Sequence, residues 1–223
     1  MRPTKALSQY DYLLVFDIET TGLNHYEDDI IEFGGVLVET KNNQFTIKET
    51  LPYFVNTHRV VPEKILQLTN ITLDQIKSGI SQRELASILC EYAKMNVLWV
   101  AYNTQFDISF IDTLLNKCHP SIKFKPDILD LMAVYKDRFD YPHKLDAAMA
   151  QYNIISEGHH RAIYDAKVTF ELLLKLDEAL PISPYINVIG YNPKYGLSGV
   201  VYPHIKYLEH PYDKGSLLKQ ILH

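Results

Sequence analysis

The chain has 223 residues, 47% hydrophobic and 22% charged, the proportions of one well-cored domain with room for an appendage and not of a disordered chain. Its net charge of −5 argues against binding nucleic acid mainly through a basic surface, but leaves room for an enzyme that meets phosphates through cations held between carboxylates. Two cysteines, Cys90 and Cys118, supply neither a disulfide framework nor a zinc knuckle, and the apolar runs suit neither a membrane span nor a secretory signal; a reducing, cytoplasmic setting without a membrane partner is expected.

The run Tyr12–Phe16 leads through Asp17-Ile18-Glu19 into Thr20-Thr21-Gly22, a buried strand entering a turn. Ile30–Val38 and Phe45–Val55 follow as strands, with Asn42-Asn43 as the turn between them, so the domain opens as an antiparallel meander. Pro62 starts a short helical turn, and Ser81–Met95 has apolar residues at helical spacing. Val97–Ala101 is a further buried strand and Thr104–Leu115 a helix. Asp127–Leu131 passes from a short strand into a helix, Lys144–Tyr152 is helical, and a last long helix over Ala162–Leu180 stops at Pro181. A meander followed by strand–helix alternation makes an α/β domain with a mixed sheet, antiparallel first and parallel later, flanked by helices.

Residues 181–223 differ in texture, with six tyrosines, five prolines and a local charge of +2. The expected division is a domain over 1–180 and an extension over 181–223. In the extension, Tyr185–Ile189 and Val200–Tyr207 are expected to form a hairpin packed on the domain. Its tyrosines and lysines suit contact with single-stranded nucleic acid or with a polymerase.

Asp17 and Glu19 stand two apart on a strand, so their side chains leave one face, and their mutual repulsion calls for a cation between them. With 15 Asp and 12 Glu, chance alone gives about 0.8 such pairs, so the pair is not diagnostic by itself. Asp107 follows the strand VLWVA. Thr104-x-x-Asp107 has the form of a capping box, yet the carboxyl end of a strand is where α/β sheets build their sites. His160 and Asp165 lie five apart, about 140° on a helix, so a shared site requires His160 in the loop before it. Glu27, Asp28 and Asp29 are expected as a solvated turn, Cys90 as a buried helix residue, Cys118-His119 as a helix end, and Asp127 and Asp130 as ties at a helix start.

Together the strings VFDIETTGL, IIEFGGV, AYNTQFDISFI and HHRAIYDA resemble the DEDD superfamily of 3′→5′ exonucleases, and the histidine five before the last aspartate points to its DEDDh branch. That branch includes the epsilon proofreading subunits of bacterial DNA polymerase III. The resemblance covers about residues 10–180 and implies a ribonuclease H-like fold. It also implies two divalent metal ions, Mg²⁺ or Mn²⁺. Asp17 would bridge both, Glu19 and Asp165 would complete one site, and Asp107 would support the other. His160 would be the general base, its imidazole titrating near neutrality. Thr21, Gly22 and Leu23 are implied as contacts to the terminal nucleotide, Phe106 as a stacking or core residue, and Asn103 as a loop-orienting or capping residue. Relatives often carry His where Tyr102 stands, which touches packing or substrate preference and not the metal set. The implied reaction releases nucleoside 5′-monophosphates from DNA 3′ ends, single-stranded or frayed, in proofreading or repair. RNA trimming and a non-catalytic replicase-binding module are the alternatives.

Overall fold

The computed structural model describes residues 7–41, 44–155, 161–210 and 214–223. Three antiparallel strands open the chain: β1 (Tyr12–Thr20), β2 (Ile30–Glu39) and β3 (Thr46–Asn56). Two short helices follow, α1 (Glu63–Thr69) and α2 (Leu73–Ser78), then β4 (Ile80–Ser81) and α3 (Gln82–Ala93). Both α2 and α3 start in complete capping boxes, Thr72 with Gln75 and Ser81 with Glu84, which satisfy orphan N–H groups at the first turn. The chain continues through β5 (Val97–Ala101), α4 (Thr104–Cys118), β6 (Asp127–Asp130), α5 (Leu131–Arg138), α6 (Leu145–Tyr152) and α7 (Ala162–Ala179). The six strands form one mixed sheet in the order β4-β3-β2-β1-β5-β6, with β5 and β6 parallel to β1 and to each other.

Strand alternation sorts the core. Leu13 and Val15 of β1 point to one face, with Leu172, Leu173 and Leu176 of α7. Leu14, Phe16 and Ile18 point to the other, with Leu85 and Leu89 of α3 and Ile108 and Ile111 of α4. By the same parity Asp17 and Glu19 continue the α7 face. Asp130 caps α5, its carboxylate accepting from the N–H groups of Met132 and Ala133 at 3.0 and 3.3 Å. Tyr102 is buried, and its hydroxyl donates to the His143 carbonyl at 2.7 Å, so its role here is packing the loop before α6.

The extension contains β7 (Val188–Tyr191), β8 (Lys206–Glu209) and α8 (Ser216–Leu222). It is not a hairpin. β7 and β8 pair parallel, Val188 opposite Lys206 and Tyr191 opposite Glu209, because the chain between them loops away before returning. The extension wraps the open β6 edge: Asn187 N–H donates to Ile128 O, and Ile128 N–H donates to Asn187 Oδ1, both at 2.9 Å. Tyr185, Val188 and Leu217 then join the α7-side core, while Ile189, Tyr202 and Ile205 join the opposite one. The buried Asp137 carboxylate fastens this wrap, accepting from Tyr185 Oη at 2.8 Å and from the N–H groups of Leu217 and Leu218 at 2.9 and 3.0 Å. Ending the chain at residue 180 strips buried apolar groups from both faces, each worth about 1.5–3 kcal/mol. We therefore expect the truncated protein to lose its cooperative melting transition, as read by circular dichroism.

Candidate metal centre

The site begins at the carboxyl end of β1. Asp17, Glu19 and Asp165 each present a carboxylate oxygen, and the three oxygens lie within 4.8 Å of one another. Asp165 reaches them because α7 starts beside β2. The β1–β2 register sets Gly34 opposite Asp17 and Glu32 opposite Glu19, so all four face α7. At Gly34 the α7 backbone comes so close that a β-carbon would lie 2.0 Å from Ala162 C and 2.1 Å from Ile163 N. Two residues before it on the same face, buried Glu32 accepts from Arg161 Nε at 3.0 Å and from the Ala162 N–H at 3.2 Å, and pairs with Arg161 Nη2 at 3.0 Å. The Arg161 guanidinium also lies 4.8 Å from the centre of the Phe54 ring. A strand acid and a strand glycine thus fix the helix start that carries Asp165.

Asp107, 2% exposed in the first turn of α4, neighbours Asp17 but stands outside the cluster of three. Its carboxylate takes a backbone hydrogen bond from Ile18. The capping box whose form Thr104-x-x-Asp107 has is not made. Thr104 is buried, and its hydroxyl bonds Ala101 O at 3.1 Å and Leu129 O at 2.8 Å, joining β5 to β6 and leaving Asp107 to face the other acids.

Electrostatics across the four acids is adverse without a cation. Burial, then repulsion from Asp107, Glu19, Asp165 and Glu32, holds the Asp17 carboxyl well above the usual carboxylate range. Glu19 is pushed up to about 8 by burial and by Asp165, Glu32 and Asp107, against the opposing pull of Arg161. Burial pushes Asp107 up to about 8. An all-oxygen, anionic, partly desolvated donor set that repels itself fits a hard divalent cation. Asp17, Glu19 and Asp165 could hold one such ion, and Asp107 lies close enough to repel both Asp17 and Glu19.

Asp28 and Asp29 brace the turn after β1 that carries Thr21, Gly22 and Leu23. Asp28 stays part-exposed, but its carboxylate is tied down, accepting from Thr21 Oγ1 and from the Asn24 N–H, both at 2.9 Å. A β-carbon on Gly22 would lie 2.4 Å from that carboxylate, so a larger residue there would push the Asp28 side chain aside. Asp29 likewise accepts from Thr57 Oγ1 at 2.5 Å and pairs with Arg59 at 3.2 Å. The turn leaves Leu23 86% exposed. Asn103 occupies the N-cap position of α4 without capping it, and its exposed side chain lines a cleft with Leu23 and Phe106. Phe106 is half-buried, its ring 5.0 Å from that of Phe110. His160, with His159, lies outside the described residues. Among the acids expected for the site, the structure gathers Asp17, Glu19 and Asp165, with Asp107 adjoining.

The exonuclease family RNase_T matches residues 14–173. The PolC-type DNA polymerase III of Caldanaerobacter subterraneus subsp. tengcongensis is 36% identical over 171 residues, and that of Bacillus subtilis 33% over 174. These matches take in 75% and 76% of this chain but only 12% of each polymerase. E. coli exonuclease I bound to a dA16 oligonucleotide superposes with a TM-score of 0.67 at 14% identity, over 78% of this chain and 42% of that one. The nuclease domain of 3′hExo, a DEDDh family member bound to rAMP, superposes with a TM-score of 0.62 at 18% identity, over 78% of this chain and 95% of that one. The chain belongs to the DEDD family of 3′→5′ exonucleases.

Proposed function

We propose that the protein hydrolyses DNA from single-stranded or frayed 3′ ends, releasing nucleoside 5′-monophosphates, in proofreading or repair. The observation that carries this reading is the self-repelling cluster of Asp17, Glu19 and Asp165 with Asp107 beside it, at the end of a family-matched strand. In this reading Asp17 would serve two divalent cations, Mg²⁺ or Mn²⁺, with Glu19 and Asp165 completing one position and Asp107 supporting the other. Cations bound there would neutralise charge on the scissile phosphate and its leaving oxygen. Arg161 and Glu32 hold Asp165 in place. Thr21, Gly22 and Leu23 form the turn against the terminal nucleotide, with Asn103 and Phe106 opposite. His160, just before α7, takes a proton from the attacking water. The catalytic domain is residues 1–180, and 181–223 is an extension bound to it. A polymerase partner is proposed from the PolC-type relatives, of which this chain spans a small part.

The test is digestion of matched 5′-labelled DNA and RNA strands with Mg²⁺ or Mn²⁺, with products separated by chromatography. The reading expects stepwise shortening from the 3′ end, nucleoside 5′-monophosphates, and faster loss of the DNA strand. Faster loss of RNA assigns the chemistry to RNA trimming, and no shortening of either strand favours a binding module. His160→Ala is expected to slow the reaction about 10²–10⁴-fold and to flatten the rise of rate with pH near 6–7, while Mn²⁺ binding survives. A near-normal rate in that variant removes His160 as the base.

A further inference from the structure

The extension lies beyond the residues that match the family, yet it returns to the catalytic end of the sheet. Between β7 and β8 the chain crosses α4 and is tied to it at three positions. Gln105 Nε2 donates to the carbonyls of Ser198 and Val200 at 2.8 and 2.7 Å. The Val200 N–H donates to Ser109 Oγ at 2.9 Å, and Tyr202 Oη donates to Asp112 at 2.8 Å. Gln105, Ser109 and Asp112 stand at i, i+4 and i+7, one face of the helix that carries Asp107. The crossing is close. Gly199 has φ +86°, and a β-carbon there would lie 2.3 Å from Ser109 Oγ, so this segment can cross α4 only as glycine.

The crossing segment helps line a cleft at the start of α4, shared with the turn after β1. Ser198 and Gly199 contribute to its lining together with Leu23 and Asn103, and Phe106 adds an aromatic surface. The cleft encloses about 410 Å³, enough for one nucleotide. None of the four acids lines it, but Leu23 belongs to the turn that leaves β1 just after Glu19, and Phe106 directly precedes Asp107 in α4. The cleft's lining indicates its occupant: an apolar lip, an aromatic ring and an exposed amide suit a nucleotide base.

We propose that residues 198–200 are a wall of the substrate cleft, so that the extension binds a nucleotide near the 3′ terminus and helps determine which strand ends are held. This inference rests on the exonuclease reading. Substituting Gly199 risks undocking the whole segment, whereas the exposed Ser198 side chain accepts a charge without disturbing the fold. The experiment is steady-state cleavage of a short single-stranded DNA by the full chain carrying Ser198→Glu or Ser198→Lys, at low and at high salt. A wall against the strand predicts opposite shifts. Glu raises KM about threefold and Lys lowers it about threefold, both effects shrinking at high salt, with kcat unchanged within about twofold. If wild type is active and both variants leave KM unchanged, or move it in the same direction, the segment only packs α4 and the proposal is overturned. A wild type that cleaves no strand removes the exonuclease reading first, and this inference with it.

Discussion

Asp17→Asn is expected to raise the melting temperature of the metal-free protein while abolishing its response to Mn²⁺. The cause is the adverse field at the site. Asp17, Glu19 and Asp107 all have folded-state pKa values above those of ordinary carboxylates, the last two near 8. An acid whose pKa is raised on folding binds more protons in the folded state, so stability falls as pH rises from the unfolded value near 4 to the folded value near 8. The metal-free wild type should therefore melt progressively lower from pH 5 to 8. Mn²⁺ should restore stability, and by more at pH 8 than at pH 6. Removing the most crowded carboxylate relieves the repulsion, for a gain of at least about 4 °C at pH 8. Differential scanning fluorimetry across pH, with and without Mn²⁺, reads all of this. A wild-type melting temperature that climbs from pH 5 to 8 without metal would contradict it.

Gly34→Ala is expected to lower kcat by about 100-fold or more through a residue that touches neither substrate nor cation. The new methyl group would lie 2.0–2.3 Å from backbone atoms of Ala162 and Ile163, and backbone cannot rotate away as a side chain can. The start of α7 must retreat, and Asp165, three residues on, retreats with it. Misplacement by about 1 Å suffices for a loss of that size, with overpacking costing about 1–3 kcal/mol in stability. Gly35→Ala supplies the contrast. Its nearest neighbours are the side chains of Phe33 and Leu51 at 2.9–3.3 Å, which can shift, so most activity should remain. Equal losses in the two variants, measured at saturating Mn²⁺ and strand, would show that α7 docking does not position Asp165.

The parts of the site written at short range were legible in the sequence. Strand parity placed Asp17 and Glu19 on one face, and Pro181 marked the end of α7, where the helix runs Ala162–Ala179. What the sequence hid depends on register and on chain segments far apart. Glu32 reads as one acid in an apolar strand, and Gly34 as one of two equivalent glycines, until the β1–β2 ladder sets them beside Glu19 and Asp17. A buried acid inside a strand buried along nearly its whole length was the available signal, because such a group requires a partner, here Arg161. The capping-box form at Thr104 goes unused because its hydroxyl joins two strands, the second of them 25 residues later. Asp28 was set aside because nothing local reveals that an acidic turn folds back on Thr21. The parallel pairing of β7 and β8 was illegible for the same reason. Two short strands in sequence suggest a hairpin, and only the detour over α4 reverses that.

The central claim is that these four carboxylates hold the cations that make the protein a nuclease. It is tested most directly by digesting a 5′-labelled single-stranded DNA with identically purified wild type and Asp17→Asn. Wild type with Mn²⁺ should give a ladder descending from the 3′ end, and neither wild type in EDTA nor the variant should shorten the strand. An undiminished ladder from Asp17→Asn would contradict the account, because cleavage would then arise somewhere other than the end of β1.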